Sequence, residues 1–132
     1  MLRKALYGIK QGARQWNKKL HSALVDMGFT RLQSDRSIYI YIRGDVRIIV
    51  PVYIDDMTLA SKDTAALDRT VEELSKRFKL RDLGETKFIL GIEITRNRSL
   101  RSLSLSQRQY IIDILERFNM LDCNPTGTPC SK

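Results

Sequence analysis

The chain is poor in several residue types that usually carry chemistry. Its 132 residues hold one histidine, His21, and two cysteines, Cys123 and Cys130. The cysteines lie in a proline-containing tail and share no metal-type spacing with His21. That argues against a zinc cluster and a disulfide framework, and for a reducing compartment. No apolar run is long enough to span a membrane, and no segment resembles a signal peptide. The expectation is an intracellular chain, in the cytoplasm or nucleus, with no membrane partner. Repeats and low-complexity segments are absent too. Acidic residues are missing altogether before Asp26, while Arg3, Lys4, Lys10, Arg14, Lys18 and Lys19 all precede it.

What is present points to a folded, basic domain. Hydrophobic residues make up 42%, enough for one core at this length. The formal charge is +8. Further cationic clusters are Lys76, Arg77, Lys79 and Arg81, and then Arg96, Arg98 and Arg101. Such surfaces attract phosphate backbones without regard to base sequence, though a merely solvated basic face would look the same. We expect one domain over residues 1–122 and a tail over residues 123–132.

Periodicity orders the elements. Trp16, Leu20, Ala23, Leu24 and Met27 share one helical face over about Gln11–Met27, with Gly28 as the C-terminal cap. Ile38, Ile40 and Ile42 alternate with Tyr39 and Tyr41 as a strand, and Arg43-Gly44-Asp45 turns the chain back. The next strand, Ile48-Ile49-Val50-Pro51-Val52, is the most apolar run. Its Pro51 cannot donate to a ladder, which predicts an edge or a bulge. Met57 to Ala60 reads as a short return strand. Ser61 or Asp63 caps a second helix with the stripe Leu67, Val71, Leu74 and Phe78. Lys87 to Thr95 reads as a strand, followed by a short one near Leu103 and Leu105. A capping box of Ser106 and Gln109 then opens a helix with Ile111, Ile114, Leu115 and Phe118 on one side. The order predicts an α+β fold, an antiparallel sheet with helices packed on one face.

Tyr53-Ile54-Asp55-Asp56 ends the apolar run. Two adjacent carboxylates on a buried strand end are costly, because desolvation and mutual repulsion both oppose them. Divalent metal binding is the usual use of such a pair, and a solvated turn is the plain alternative.

Four ordered blocks carry a family resemblance. Leu6-Tyr7-Gly8-Ile9-Lys10-Gln11, with Arg14 and Trp16 after it, resembles the opening motif of copia-type retrotransposon reverse transcriptases. Tyr53-Ile54-Asp55-Asp56 resembles their YVDD box, and Asp82-Leu83-Gly84 with Phe88 to Ile94 resembles the stretch that follows. The tail from Leu105-Ser106-Gln107 through Asp122-Cys123 to Thr128-Pro129 is similar too. Where many members have Ala-Pro-Arg, this chain has Gly12-Ala13-Arg14.

The resemblance implies a partial polymerase palm running into the start of the thumb. Its parent activity would be RNA-directed DNA synthesis by two-metal nucleotidyl transfer, with two Mg²⁺ ions. Asp55 and Asp56 would be the catalytic metal ligands, and Tyr53 and Ile54 would lie against the primer end. Tyr7, Gly8, Lys10, Gln11 and Arg14 would line the nucleotide and template site. Trp16 reads as core rather than as a stacking platform. Lys79 or Arg81 would stabilise the leaving pyrophosphate, or simply end a helix favourably. Phe88 to Ile94 would grip the primer. Partners would be an RNA or DNA template-primer and dNTPs.

The family needs a further aspartate on an earlier strand, and fingers, that this sequence does not contain. Weak Mg²⁺ binding and no polymerase turnover are therefore expected of the chain alone. Two other readings remain open. One is a non-catalytic, transposon-derived basic module that binds nucleic acid; the other is an interaction module that pairs with an upstream half through an open sheet edge.

Overall fold

The computed structural model describes residues 10–125 and 127. Tyr7 and Gly8, two of the expected site residues, lie outside them. The chain divides into two units, Met1–Asp82 and Leu83–Lys132.

In the first unit, helix α1 (Lys10–Asp26) buries Leu20, Ala23 and Leu24, with Trp16 and Met27 half-buried beside them. It ends on Gly28 as its sequence predicts. There φ is +90°, the Gly28 N–H bonds to the Val25 carbonyl, and the Phe29 N–H bonds to the Leu24 carbonyl, both at 2.9 Å. A side chain is disfavoured on two counts. The left-handed backbone disfavours one, and a Cβ would sit 3.3 Å from the Tyr41 ring.

Strands β1 (Thr30–Arg31), β2 (Ile38–Arg43), β3 (Val46–Tyr53), β4 (Asp56–Met57) and β5 (Ala60–Ser61) form one antiparallel sheet. The order is β1-β2-β3-β4, with β5 also on β3. The predicted single return strand is two, because Thr58 and Leu59 leave the ladder between β4 and β5. Register sets the core face: Tyr39 lies opposite Val50, and Tyr41 opposite Ile48. The tyrosines of β2 therefore face the helices, while Ile42 and Ile49 are exposed on the other face. The Tyr39 hydroxyl meets His21 Nδ1 at 3.2 Å, which gives a buried phenol its partner. Burial raises the Tyr39 pKa, partly countered by the charges of Arg31 and Arg36.

Pro51 is neither on an edge strand nor misplaced. β3 is central, with β2 on one side and β4 and β5 on the other. The Thr58 N–H bonds to the Pro51 carbonyl at 3.1 Å, so the proline's backbone faces the β4–β5 side. Its missing donor falls opposite Thr58, at the break between those two strands.

Helix α2 (Thr64–Arg77) is capped by Asp63, whose carboxylate accepts the Ala66 N–H at 3.0 Å. Ala66, Leu74 and the following Phe78 are buried with Tyr39, Ile48, Val50 and the α1 residues in one cluster, and Thr70 is buried on the same helix. Both helices thus pack on one face of an antiparallel sheet, the α+β arrangement that the periodicity predicts.

The second unit holds β6 (Phe88–Ile89), β7 (Ile92–Asn97) and β8 (Ser102–Ser106), an antiparallel sheet in that order, and α3 (Arg108–Arg117). The strand predicted over Lys87 to Thr95 is broken by a turn at Leu90 and Gly91, with φ of +51° and +76°. The capping box does not form. Gln109 donates instead to Asp113 at 2.8 Å, and the Ser106 hydroxyl accepts the Arg108 N–H at 3.2 Å. On α3, Ile112, Ile114 and Leu115 are half-buried, whereas Ile111 and Phe118 are exposed, so the predicted stripe keeps its middle, Ile114 and Leu115, and loses both ends. Among the described residues, this unit has no fully buried side chain. Nor is any described helix long and apolar enough to cross a membrane.

Candidate functional site

The Asp-Asp pair sits where β3 folds back into β4. Tyr53 pairs with Asp56, leaving Ile54 and Asp55 as a two-residue turn. Only the first of them has positive φ, +54° at Ile54. For a β-branched side chain that conformation is a real outlier, costing about 1–3 kcal/mol, and such strain gathers at functional sites. The turn projects beyond the sheet. Ile54 is 64% exposed and Tyr53 54%. Asp55 and Asp56 are exposed too, at a hairpin turn rather than on a buried strand end. Among the described residues neither carboxylate takes a side-chain hydrogen bond or an ion pair.

A tie from α1 holds this turn. Trp16 Nε1 donates to the Ile54 carbonyl at 2.9 Å. The indole meets the Phe78 ring edge-on, with centroids 5.3 Å apart and planes at 74°. Trp16 is therefore half core, as its spacing from Leu20 predicts, and half restraint on the turn. Sequence reasoning missed the second role. The bond joins positions 38 apart, so no local pattern signals it.

The other expected residues fall on the elements that this tie connects. Lys10 opens α1, and Gln11 and Arg14 lie exposed on its first turns, within two turns of Trp16. Lys79 and Arg81 follow Phe78, exposed beyond the end of α2. Much of the cationic cluster there is neutralised locally: Lys76 pairs with Glu73, and Arg77 reaches Asp26 at 3.2 Å. Lys79, Arg81 and Arg14 make no ion pair among the described residues. In the second unit, Arg98 pairs with Glu85, while Arg96 and Arg101 make no ion pair among the described residues. Those three arginines line a cleft of about 350 Å³ with Asn97, Ser102 and Leu103.

As a donor set, two free carboxylates suit a hard divalent cation but fill only part of an octahedral shell. Among the described residues no third His, Cys, Asp or Glu joins them in a metal-holding group.

Over residues 1–132 the chain matches the family described as Reverse transcriptase (RNA-dependent DNA polymerase). It is 41% identical over 128 residues to the Retrovirus-related Pol polyprotein from transposon RE1 of Arabidopsis thaliana, covering 97% of this chain and 9% of that protein. To the corresponding polyprotein from transposon TNT 1-94 of Nicotiana tabacum it is 40% identical over 129 residues, 97% of this chain and 10% of that protein. A putative transposon Ty5-1 protein of Saccharomyces cerevisiae is 30% identical over 124 residues, 94% of this chain and 40% of that protein. The chain thus spans about a tenth of the length of the Pol polyproteins it matches. No solved structure matches it. With a match along its whole length, the chain belongs to the reverse transcriptase (RNA-dependent DNA polymerase) family.

Proposed function

We propose that the chain contributes the metal-binding turn and part of the nucleic-acid face of an RNA-directed DNA polymerase palm. The observation that supports this most directly is the Tyr53-Ile54-Asp55-Asp56 turn, whose carboxylates are exposed and have no side-chain partner among the described residues. Asp55 and Asp56 would hold Mg²⁺, which when bound supplies charge neutralisation and Lewis-acid activation for nucleotidyl transfer. Tyr53 and Ile54 offer apolar surface to a primer end. Gln11 and Arg14, with Lys10, Tyr7 and Gly8 of the same motif, would contact nucleotide and template. Lys79 or Arg81, without an ion pair among the described residues, is a cation suited to a departing pyrophosphate. The partners of this reading are an RNA or DNA template-primer, dNTPs and a further palm segment bringing a third carboxylate.

Two carboxylates leave a two-metal site short of ligands. The chain by itself is therefore expected to bind Mn²⁺ or Mg²⁺ weakly and to be inactive in primer extension. Mn²⁺ binding followed by electron paramagnetic resonance checks the first part, with Asp55→Asn expected to weaken it at least about tenfold. Templated synthesis by the chain alone would refute the second part.

Arg96 and Arg101, which make no ion pair among the described residues, support with their cleft a second reading, a non-catalytic module that binds nucleic acid. Binding that falls steeply with salt and is unchanged in both affinity and Mg²⁺ dependence by Asp55→Asn would favour it.

A further inference from the structure

We propose that Trp16 is a positioning residue for the Asp55–Asp56 turn, its indole N–H fixing the Ile54 carbonyl and thereby the aim of the two carboxylates. The inference rests on the reading of that pair as a metal site. The hairpin itself holds the turn weakly. β4 is two residues long, and only Val52↔Met57 and Tyr53↔Asp56 pair across it. Ile54 keeps a backbone conformation that its branched side chain resists. A restraint from outside the hairpin is needed to keep one geometry populated, and Trp16 Nε1 at 2.9 Å from the Ile54 carbonyl supplies it.

The bond is not forced by burial. Ile54 is mostly exposed, and its carbonyl would find water if the indole were absent. The effect of the bond is direction. Trp16 can give that direction because its own ring is braced. It meets Phe78 edge-on, Phe78 is buried, and the Phe78 N–H is bonded to the Leu74 carbonyl at 2.9 Å. One turn along α1, Leu20 lies in the core. Turn, α1 and the end of α2 are thus joined through one side chain. An outer hydrogen bond that orients a metal ligand is commonly worth 10- to 100-fold in metal affinity.

The test uses the full chain and Mn²⁺ as the probe. Trp16→Phe keeps an aromatic ring for the Phe78 contact and removes the N–H. It is expected to weaken Mn²⁺ binding about tenfold, the low end for such a partner because the turn is exposed. Leu20→Ala, a core deletion that keeps the N–H, is expected to lower the thermal unfolding midpoint and leave the affinity within about twofold. Wild-type affinity in Trp16→Phe, with Asp55→Asn clearly weakened, would overturn the positioning role and leave the metal site standing. Unchanged affinity in Asp55→Asn would overturn both together.

A second readout needs no altered Trp16. It is the only tryptophan in the sequence, so its indole N–H gives a single resonance in a ¹⁵N–¹H spectrum. That resonance is expected to shift as Mg²⁺ is added to the wild type and to stay fixed in Asp55→Asn. A fixed resonance in wild type at saturating Mg²⁺ overturns the coupling.

Discussion

Glu85 receives two hydrogen bonds from one arginine. Arg98 Nε donates to its Oε1 at 3.1 Å, and the Nη2 of the same guanidinium donates to that oxygen too. These bonds first, then the charges of Arg98, Arg96 and Lys87, hold the Glu85 carboxyl below its ordinary value. The sign follows from linkage. A carboxyl lowered on folding adds stability above its unfolded pKa, and that stability is lost as pH falls through the folded value. The pair is exposed, so salt screens the effect. Replacing Arg98 by Gln is expected to move the Glu85 midpoint upward in a ¹³C carboxyl titration. An unmoved midpoint would mean that the pair does not persist in solution.

Among the elements, α2 depends on its cap. Asp63 accepts the Ala66 N–H, and the Ser61 hydroxyl accepts the Asp63 N–H at 3.1 Å. Asp63→Ala is expected to lower stability by about 1 kcal/mol, read from urea unfolding, while Lys62→Ala beside it should change little. This element was legible in the sequence because its period and its cap agree. α1 and the β2–β3 hairpin were legible for the same reason, each with a periodic stripe closed by a glycine of positive φ, Gly28 or Gly44. The misread places share a different physics. Leu90 and Ile54 adopt positive φ while looking like strand residues, so the turn after β6 and the backbone strain beside Asp55 left no compositional mark. The predicted Ser106–Gln109 box lost to a competing partner, since Gln109 finds Asp113 one helical turn away. The Trp16–Ile54 bond spans 38 positions, and no local pattern encodes it.

At the scale of the molecule, stability is unevenly shared. The buried cluster, from Leu20 to Phe78, lies wholly within Met1–Asp82, whereas Leu83–Lys132 by itself has no fully buried side chain among its described residues. Native-state hydrogen exchange is therefore expected to show its slowest amides in α1, β2, β3 and α2, with β6 to β8 and α3 opening at much lower free energy. Equal protection in the two units would contradict this division. The candidate carboxylates belong to the better-supported unit, which is where a site that must keep its geometry belongs.

The gap in the ladder at Pro51 has one more effect. β3 is the most apolar strand, and the flank covered by β4 and β5 is held by two short pairings on either side of the proline. When those pieces fray, a strand from another molecule could template on β3. Without an N–H at Pro51 such a strand would lose one ladder bond on that flank, which weakens its pairing there. The residue that breaks the β4–β5 flank is thereby expected to disfavour intermolecular pairing along the chain's most apolar strand.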